Sequence, residues 1–151
     1  MDCFTAKKRS AIMSKIRHFD TPPERAVRSV LHRMGYRFRI HRRDLPGNPD
    51  IVLPRHKKII LVHGCFWHGH SFCTKGRRRP KTNSNLWKAK IEGNAQRDRL
   101  NLKRLRRRGW KVLVVWECQV GKATAIPKML ERFLHQPNQP SNTLRLPGAR
   151  V

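Results

Sequence analysis

The sequence predicts an α/β domain, a mixed sheet flanked by helices, and three observations carry that expectation. The apolar runs "IVL", "IILVH" and "WKVLVVW" read as buried strands. Other segments place apolar residues at helical spacing, beside capping residues. The two kinds follow one another in the order α-β-β-β-α-β-α. With 151 residues the chain is most simply one domain, long enough to bury a proper core.

Residues 1–20 form a basic arm with space for one short helix around "SAIMSKI". Residues 21–135 form the domain proper. It opens with "TPPERAVRSVLHRMG", where Thr21 suits the N-cap, Pro22 the first turn, Glu24 a capping box and Gly35 the terminator. Val27, Val30, Leu31 and Met34 make its apolar face. "YRFRI" alternates apolar and basic residues, as a strand with one wet face does. "RDLPGNPD" is a turn, and a basic hairpin at Pro54–Lys58 separates the next two strands. Residues 64–83 show no periodicity and read as one long loop. A long helix follows from about Asn85 to Arg108, stopped by Gly109, and then the strand "WKVLVVW". "ATAIPKMLERFLHQ" is the last helix, its start blurred by Pro127. From Gln136 to Val151, Pro, Asn and Gln dominate, a composition expected of a disordered tail. There is no internal repeat.

Charge narrows the partner. There are 35 Lys and Arg against 9 Asp and Glu, a formal +26, with a pI near 11.7. Such an excess calls for a polyanion, and nucleic-acid phosphates are the commonest. A membrane partner is not expected, because no apolar run reaches about eighteen residues and no signal peptide opens the chain. Without an export signal, the four cysteines should stay reduced.

The densest chemistry lies in "HGCFWHGHSFC", residues 63–73. Cys65, His70 and Cys73 have the spacing C-x4-H-x2-C, and Cys118 can supply a fourth ligand to one Zn²⁺. The competing reading is ordinary buried thiols. Cys3 lies in the arm and outside this set. Asp50, where a turn enters a strand, suits either Mg²⁺ against a phosphate or plain turn capping. Asp98 falls on the inward stripe of the long helix with Trp87, Ile91, Ala95, Leu102 and Leu105. Glu24 lies in line with Val27 and Leu31. Inward acids need a cation, an Arg or a His beside them, although a capping box explains Glu24 equally well. His63 and His68 suit proton transfer near a metal-bound phosphate, and each alone also suits a plain structural place. Phe66, Trp67 and Trp87 border the basic loop, where aromatics stack on or wedge between bases as readily as they fill a core.

Taken together, "LPGNPDIVL", "HGCFWHGH", "NLWKAKIEGNAQRDRLNLKRLRRRGWKVLVVWEC" and the arm "KRSAIMSKIRHFDTPPE" resemble the very-short-patch repair (Vsr-type) DNA mismatch endonucleases, over residues 7 to 133. The resemblance implies a restriction-endonuclease-like core with a zinc-stapled loop. It implies an enzyme that nicks double-stranded DNA 5′ to the thymine of a T:G mismatch, the product of 5-methylcytosine deamination, leaving a 3′-hydroxyl and a 5′-phosphate. In that family's terms Asp50 holds catalytic Mg²⁺, with the carbonyl of Val62 as a further contact. His68 activates water, His63 is a second active-site histidine supported by Asp98, and Glu24 is the glutamate of the first core helix. Cys65, His70, Cys73 and Cys118 become structural Zn²⁺ ligands; Phe66, Trp67 and Trp87 wedge into the duplex. Met13 lies on the minor-groove side, and Lys90 and Asn94 near the mispaired bases.

The resemblance also implies a monomer on DNA in the bacterial cytoplasm, among other mismatch-repair proteins. Two features depart from the family: "HGHSFC" is one residue longer than its H-x-H-x-C spacing, and the basic segments "KGRRRPK" and "KRLRRRGWK" are unusually rich. Two other readings fit the same residues. One is a related nuclease acting on another lesion or its own site, the other a non-catalytic, zinc-containing DNA-binding protein.

Overall fold

A computed structural model describes residues 4–122 and 124–138. Cys3 and residues 139–151 of the expected tail lie outside the described residues. The elements are α1 (Ala6–Ser14), α2 (Pro22–Arg33), β1 (Arg39–Ile40), β2 (Ile51–Leu53), β3 (Lys58–His63), α3 (Thr74–Arg77), α4 (Ser84–Arg107), β4 (Lys111–Trp116), α5 (Glu117–Val120) and α6 (Ala125–His135). The mixed α/β class is therefore the observed one.

Among the described residues four strands form one sheet in the order β1-β2-β3-β4. The first two pairings are antiparallel, and β3 runs parallel to β4. A parallel pair needs a crossover, which α4 supplies. Side-chain alternation then sends the apolar strand residues to two cores. On one face Ile51, Leu53, Ile60, Val62 and Val115 pack with Val27 and Leu31 of α2 and Ile126, Leu130, Phe133 and Leu134 of α6. On the other, Val52, Ile59 and Leu61 meet Leu45, Leu105 of α4 and Trp110. Covering both faces explains why β2 and β3 read as unbroken apolar runs. No helix among the described residues is long and apolar enough to cross a membrane.

Helix α2 begins as its sequence dictates. The Thr21 hydroxyl accepts from the Glu24 N–H at 3.5 Å and donates to Glu24 Oε1 at 3.1 Å, while Glu24 Oε2 accepts from the Asp20 N–H at 2.9 Å. Helix α1 buries no residue, so the arm stands apart from both cores.

Several local expectations change in the fold. Only Arg39–Ile40 of "YRFRI" pair as strand, because Tyr36 and Phe38 pack on the α2/α6 core instead of joining the ladder. The hairpin turn is a 3₁₀ turn at Pro54–His56 closed by Lys57 in the left-handed region. Lys58 is no turn residue: it starts β3 and is 2 % exposed. Its Nζ donates to the carbonyls of Leu134 at 2.6 Å and Gln136 at 2.8 Å, so a buried lysine caps the C-terminus of α6. Residues 136–138 continue this packing, with Asn138 donating to the His56 carbonyl at 2.9 Å. The span 64–83 contains the helical turn α3, and α5 follows β4 directly, held by Gln119 Oε1 accepting from the Trp116 N–H at 2.8 Å.

Lys58→Met keeps the aliphatic bulk but strands two carbonyls. It should cost about 1.5–3 kcal/mol, the range for hydrogen bonds to a charged group, read as a lower urea midpoint at unchanged slope with metal content held constant.

Candidate active site and metal centre

Everything chemical gathers at one end of the sheet. Strands β3 and β4 stop together, with His63 opposite Trp116, and β2 starts beside them because Ile51 pairs with Ile60. A cleft of about 1600 Å³ opens there between the arm and the sheet end, and Met13, Asp50, Val62, His63, His68 and Asp98 all border it.

Two residues past each strand end lie Cys65 and Cys118, brought side by side by the parallel register. The Cys118 N–H donates to Cys65 Sγ at 3.3 Å, and Cys118 Sγ lies 3.5 Å from His70 Nδ1. Cys73 completes the group: donor atoms of Cys65, His70, Cys73 and Cys118 all lie within 4.8 Å of one another. The longer "HGHSFC" span is accommodated by turning Phe72 outward, 90 % exposed, while the cysteine sulfur points in. Helix α3 starts on that sulfur, which accepts from the Gly76 N–H at 3.3 Å. Glycine is required there, since a Cβ at Gly76 would sit 1.9 Å from the His70 carbonyl oxygen. The ring of His70 stacks on Trp116, centroids 4.3 Å apart. Three sulfurs and one imidazole form a soft, closed donor set suited to a tetrahedral ion. Burial pushes the Cys65 thiol up to about 12, so a cation must displace its proton.

A second group faces the cleft. Asp50 Oδ2 accepts from the Val62 N–H at 2.7 Å. Loss of water raises the Asp50 carboxyl to about 6, with the Glu24 carboxylate adding to the rise; the Val62 N–H and the fields of His41 and His68 oppose it. Glu24 is 3 % exposed, so its cap and its place beside Asp50 are one arrangement. His41 joins them, donor atoms of Glu24, His41 and Asp50 lying within 4.8 Å of one another. Nothing in "FRIHRRD" distinguishes this histidine from its basic neighbours; only the chain reversal after β1, with His41 at φ 47°, turns it toward the acids.

The third group is a histidine pair with an acid. His68 Nδ1 and Asp98 Oδ2 are 2.5 Å apart, so Asp98 is paired with His68, not with His63, the histidine it was expected to support, nor with one of the many arginines. The His63 ring lies flat against that of His68, centroids 4.0 Å apart and planes 5° from parallel. Burial first, then the neighbouring His68, lowers His63 to about 4, leaving it neutral at physiological pH. Gly69 permits the turn that brings His68 back: its φ is +65°, and a Cβ there would meet Ile91 Cγ2 at 2.9 Å.

Phe66, Trp67 and Trp87 form one half-buried cluster at the cleft's rim, ring centroids 5.2, 5.6 and 5.8 Å apart. Lys90 Nζ sits over both indoles, at 5.4 and 5.5 Å. Asn94 donates to the Trp67 carbonyl at 3.0 Å and accepts from Arg97 at 3.1 Å, which fixes the tryptophan's backbone. Met13, Glu24, Asp50, Val62, His63, Trp67, His68, Lys90, Asn94 and Asp98 line the cleft, Phe66 and Trp87 pack on Trp67, and the cysteine–histidine group forms a separate cluster; His41, which also lines the cleft, is the residue the sequence reading missed.

Comparison with known proteins points the same way. The family described as DNA mismatch endonuclease Vsr matches residues 1–75. A type II nicking enzyme of Xanthomonas oryzae pv. oryzae is 45% identical over 133 residues, covering 88% of this chain and 96% of that protein. One from Neisseria meningitidis serogroup A is 42% identical over 135 residues, 89% and 95% of the two chains. The DNA mismatch endonuclease Vsr of Escherichia coli K12 is 42% identical over 110 residues, 73% and 69% of the two chains.

The raised Asp50 carboxyl carries a stability consequence. Its folded value, about 6, exceeds its ordinary 3.8, so folding disfavours the ionised form. The penalty is absent below the lower value and complete above the higher one. Asp50→Asn should therefore stabilise the protein freed of divalent cations at this site by roughly 2–3 kcal/mol at pH 8, and by less at pH 5. Melting curves of the two proteins at both pH values check this; an equal difference at both would contradict it.

Proposed function

The chain belongs to the Vsr family of DNA mismatch endonucleases, DNA-nicking hydrolases, and from that membership we propose that it nicks the strand 5′ to the mispaired thymine of a T:G mismatch in a Mg²⁺-dependent reaction. The observation that carries the chemical part is the His68–Asp98 contact of 2.5 Å opening on the same cleft as Asp50.

Asp98 holds the Nδ1–H of His68, which leaves Nε2 as the acceptor. Nε2 takes a proton from water; the oxygen attacks phosphorus, the P–O3′ bond breaks, and the leaving O3′ takes a proton from solvent water, so the ends are a 5′-phosphate and a 3′-hydroxyl. His63 stacks on the imidazole that becomes charged and holds its plane, remaining neutral itself. Asp50, Glu24 and the Val62 carbonyl would hold the divalent ion, and the site's donors fit one, being two close carboxylates with one raised chiefly by burial. An ion held by these residues would supply Lewis-acid polarisation of the scissile phosphate. Cys65, His70, Cys73 and Cys118 would hold Zn²⁺ with no open position, a structural staple.

Recognition rests on deformability. Wedging between stacked pairs costs a few kcal/mol per step, less at a wobble pair. Stacking on Phe66, Trp67 and Trp87 returns about 1–3 kcal/mol per base. Lys90 and Asn94 line the cleft and would read the mispaired bases, and the arm, with Met13 on the cleft, would close over the minor groove as one monomer binds.

The test is end-labelled duplexes carrying T:G in varied contexts, with other mismatches and matched controls. A single cut 5′ to the thymine is expected; no cutting of any mismatched duplex in Mg²⁺ would end the proposal. Asp50→Ala should lower nicking about a thousandfold or more, the scale of losing metal-assisted charge stabilisation, while duplex affinity changes little. Purified protein should contain one zinc per chain, lost in Cys65→Ser; a metal-free wild type would overturn the ligand assignment.

A further inference from the structure

His41 has no role in the mechanism so far, yet its surroundings are unusual. Its Nε2 is fully shielded from solvent and lacks a hydrogen-bond partner. Glu24 Oε2 lies 3.7 Å away, beyond hydrogen-bond reach. Phe19, from the segment after α1, packs edge-on against the ring with centroids 6.0 Å apart. The backbone at His41 adopts φ 47°, a region that non-glycine residues seldom occupy. Its N–H still reaches the Asp50 carbonyl at 3.3 Å, so the position of the ring is tied directly to that of Asp50.

An imidazole nitrogen left bare beside two carboxylates has the arrangement of a ligand set. Ligand atoms about 2.1 Å from a shared six-coordinate ion stand roughly 3.0 Å apart at adjacent positions and roughly 4.2 Å at opposite ones; the 3.7 Å between His41 Nε2 and Glu24 Oε2 lies between these, so an ion would draw the two together by less than about 1 Å to make them adjacent ligands. A cation between them would satisfy the nitrogen and neutralise the carboxylates together. We propose that His41 Nε2 is a ligand to the divalent ion held by Glu24 and Asp50, and that this nitrogen makes the site favour Mn²⁺ over Mg²⁺. Mg²⁺ demands oxygen donors and keeps its waters, whereas imidazole suits transition-metal ions. The inference rests on the reading of Asp50 as the holder of the catalytic cation.

The experiment uses the full-length zinc-loaded protein. Free Mn²⁺ is followed by electron paramagnetic resonance during titration, Mg²⁺ is measured by competition, and pulsed spectra report nitrogen coupled to bound Mn²⁺. Wild type should bind one Mn²⁺ with a histidine-nitrogen signal. His41→Gln should lose that signal and weaken Mn²⁺ at least about tenfold, with Mg²⁺ changed less than about threefold. His41→Asn, which tolerates positive φ, should do the same, and unchanged zinc content certifies that both variants fold. A nitrogen signal that persists in the variants, or an unchanged Mn²⁺/Mg²⁺ ratio, overturns the role of His41 and leaves Asp50 as the metal holder. Mn²⁺ binding that survives Asp50→Asn unchanged removes the Asp50 reading and this inference with it.

Discussion

The parallel pairing of β3 with β4 is the constraint on which the site depends. Because His63 stands opposite Trp116, the two strands end at one level, and the residues two positions beyond each end are Cys65 and Cys118. Sulfurs 53 positions apart in the chain thus become neighbours through backbone hydrogen bonds alone. The same pairing requires α4 to cross the sheet, and the crossing delivers Asp98 to His68. Slipping the register by one residue would turn His63 to the opposite face and separate the two cysteines.

Around that framework, the protein gathers charges that do not stabilise the fold. Glu24 and Asp50 share a cramped, poorly hydrated space in a chain whose net charge is +26. Raising Asp50 and leaving His41 Nε2 without a hydrogen bond both oppose folding, and a bound cation would offset both. Sites that must grip a metal and a phosphate commonly carry such local conflict.

How much of this was legible varied with the range of the interaction. Helix α2 could be read residue by residue, since Thr21, Pro22 and Glu24 act within one turn of each other. The long helix was placed to within a residue at each end, and its inward stripe correctly included Asp98. Lys58 was misread because its partners, the carbonyls of Leu134 and Gln136, lie more than seventy positions away. "YRFRI" alternates like a strand, yet packing of Tyr36 and Phe38 against α2 and α6 outweighs pairing for most of it. His41 carried no local signal at all.

By itself the sequence determined a polyanionic class of partner, the bounds of α2 and α4 and the apolar strands β2, β3 and β4. Each of these follows from composition or from contacts within a few residues. Tertiary structure alone decided which groups meet. It paired Asp98 with His68 and not with an arginine, kept Cys73 in the cluster by turning Phe72 outward, and turned His41 toward Glu24 and Asp50. Those outcomes depend on strand register, on a left-handed residue after β1 and on the space beside Gly76, which are properties of the packed chain and not of any short segment of it.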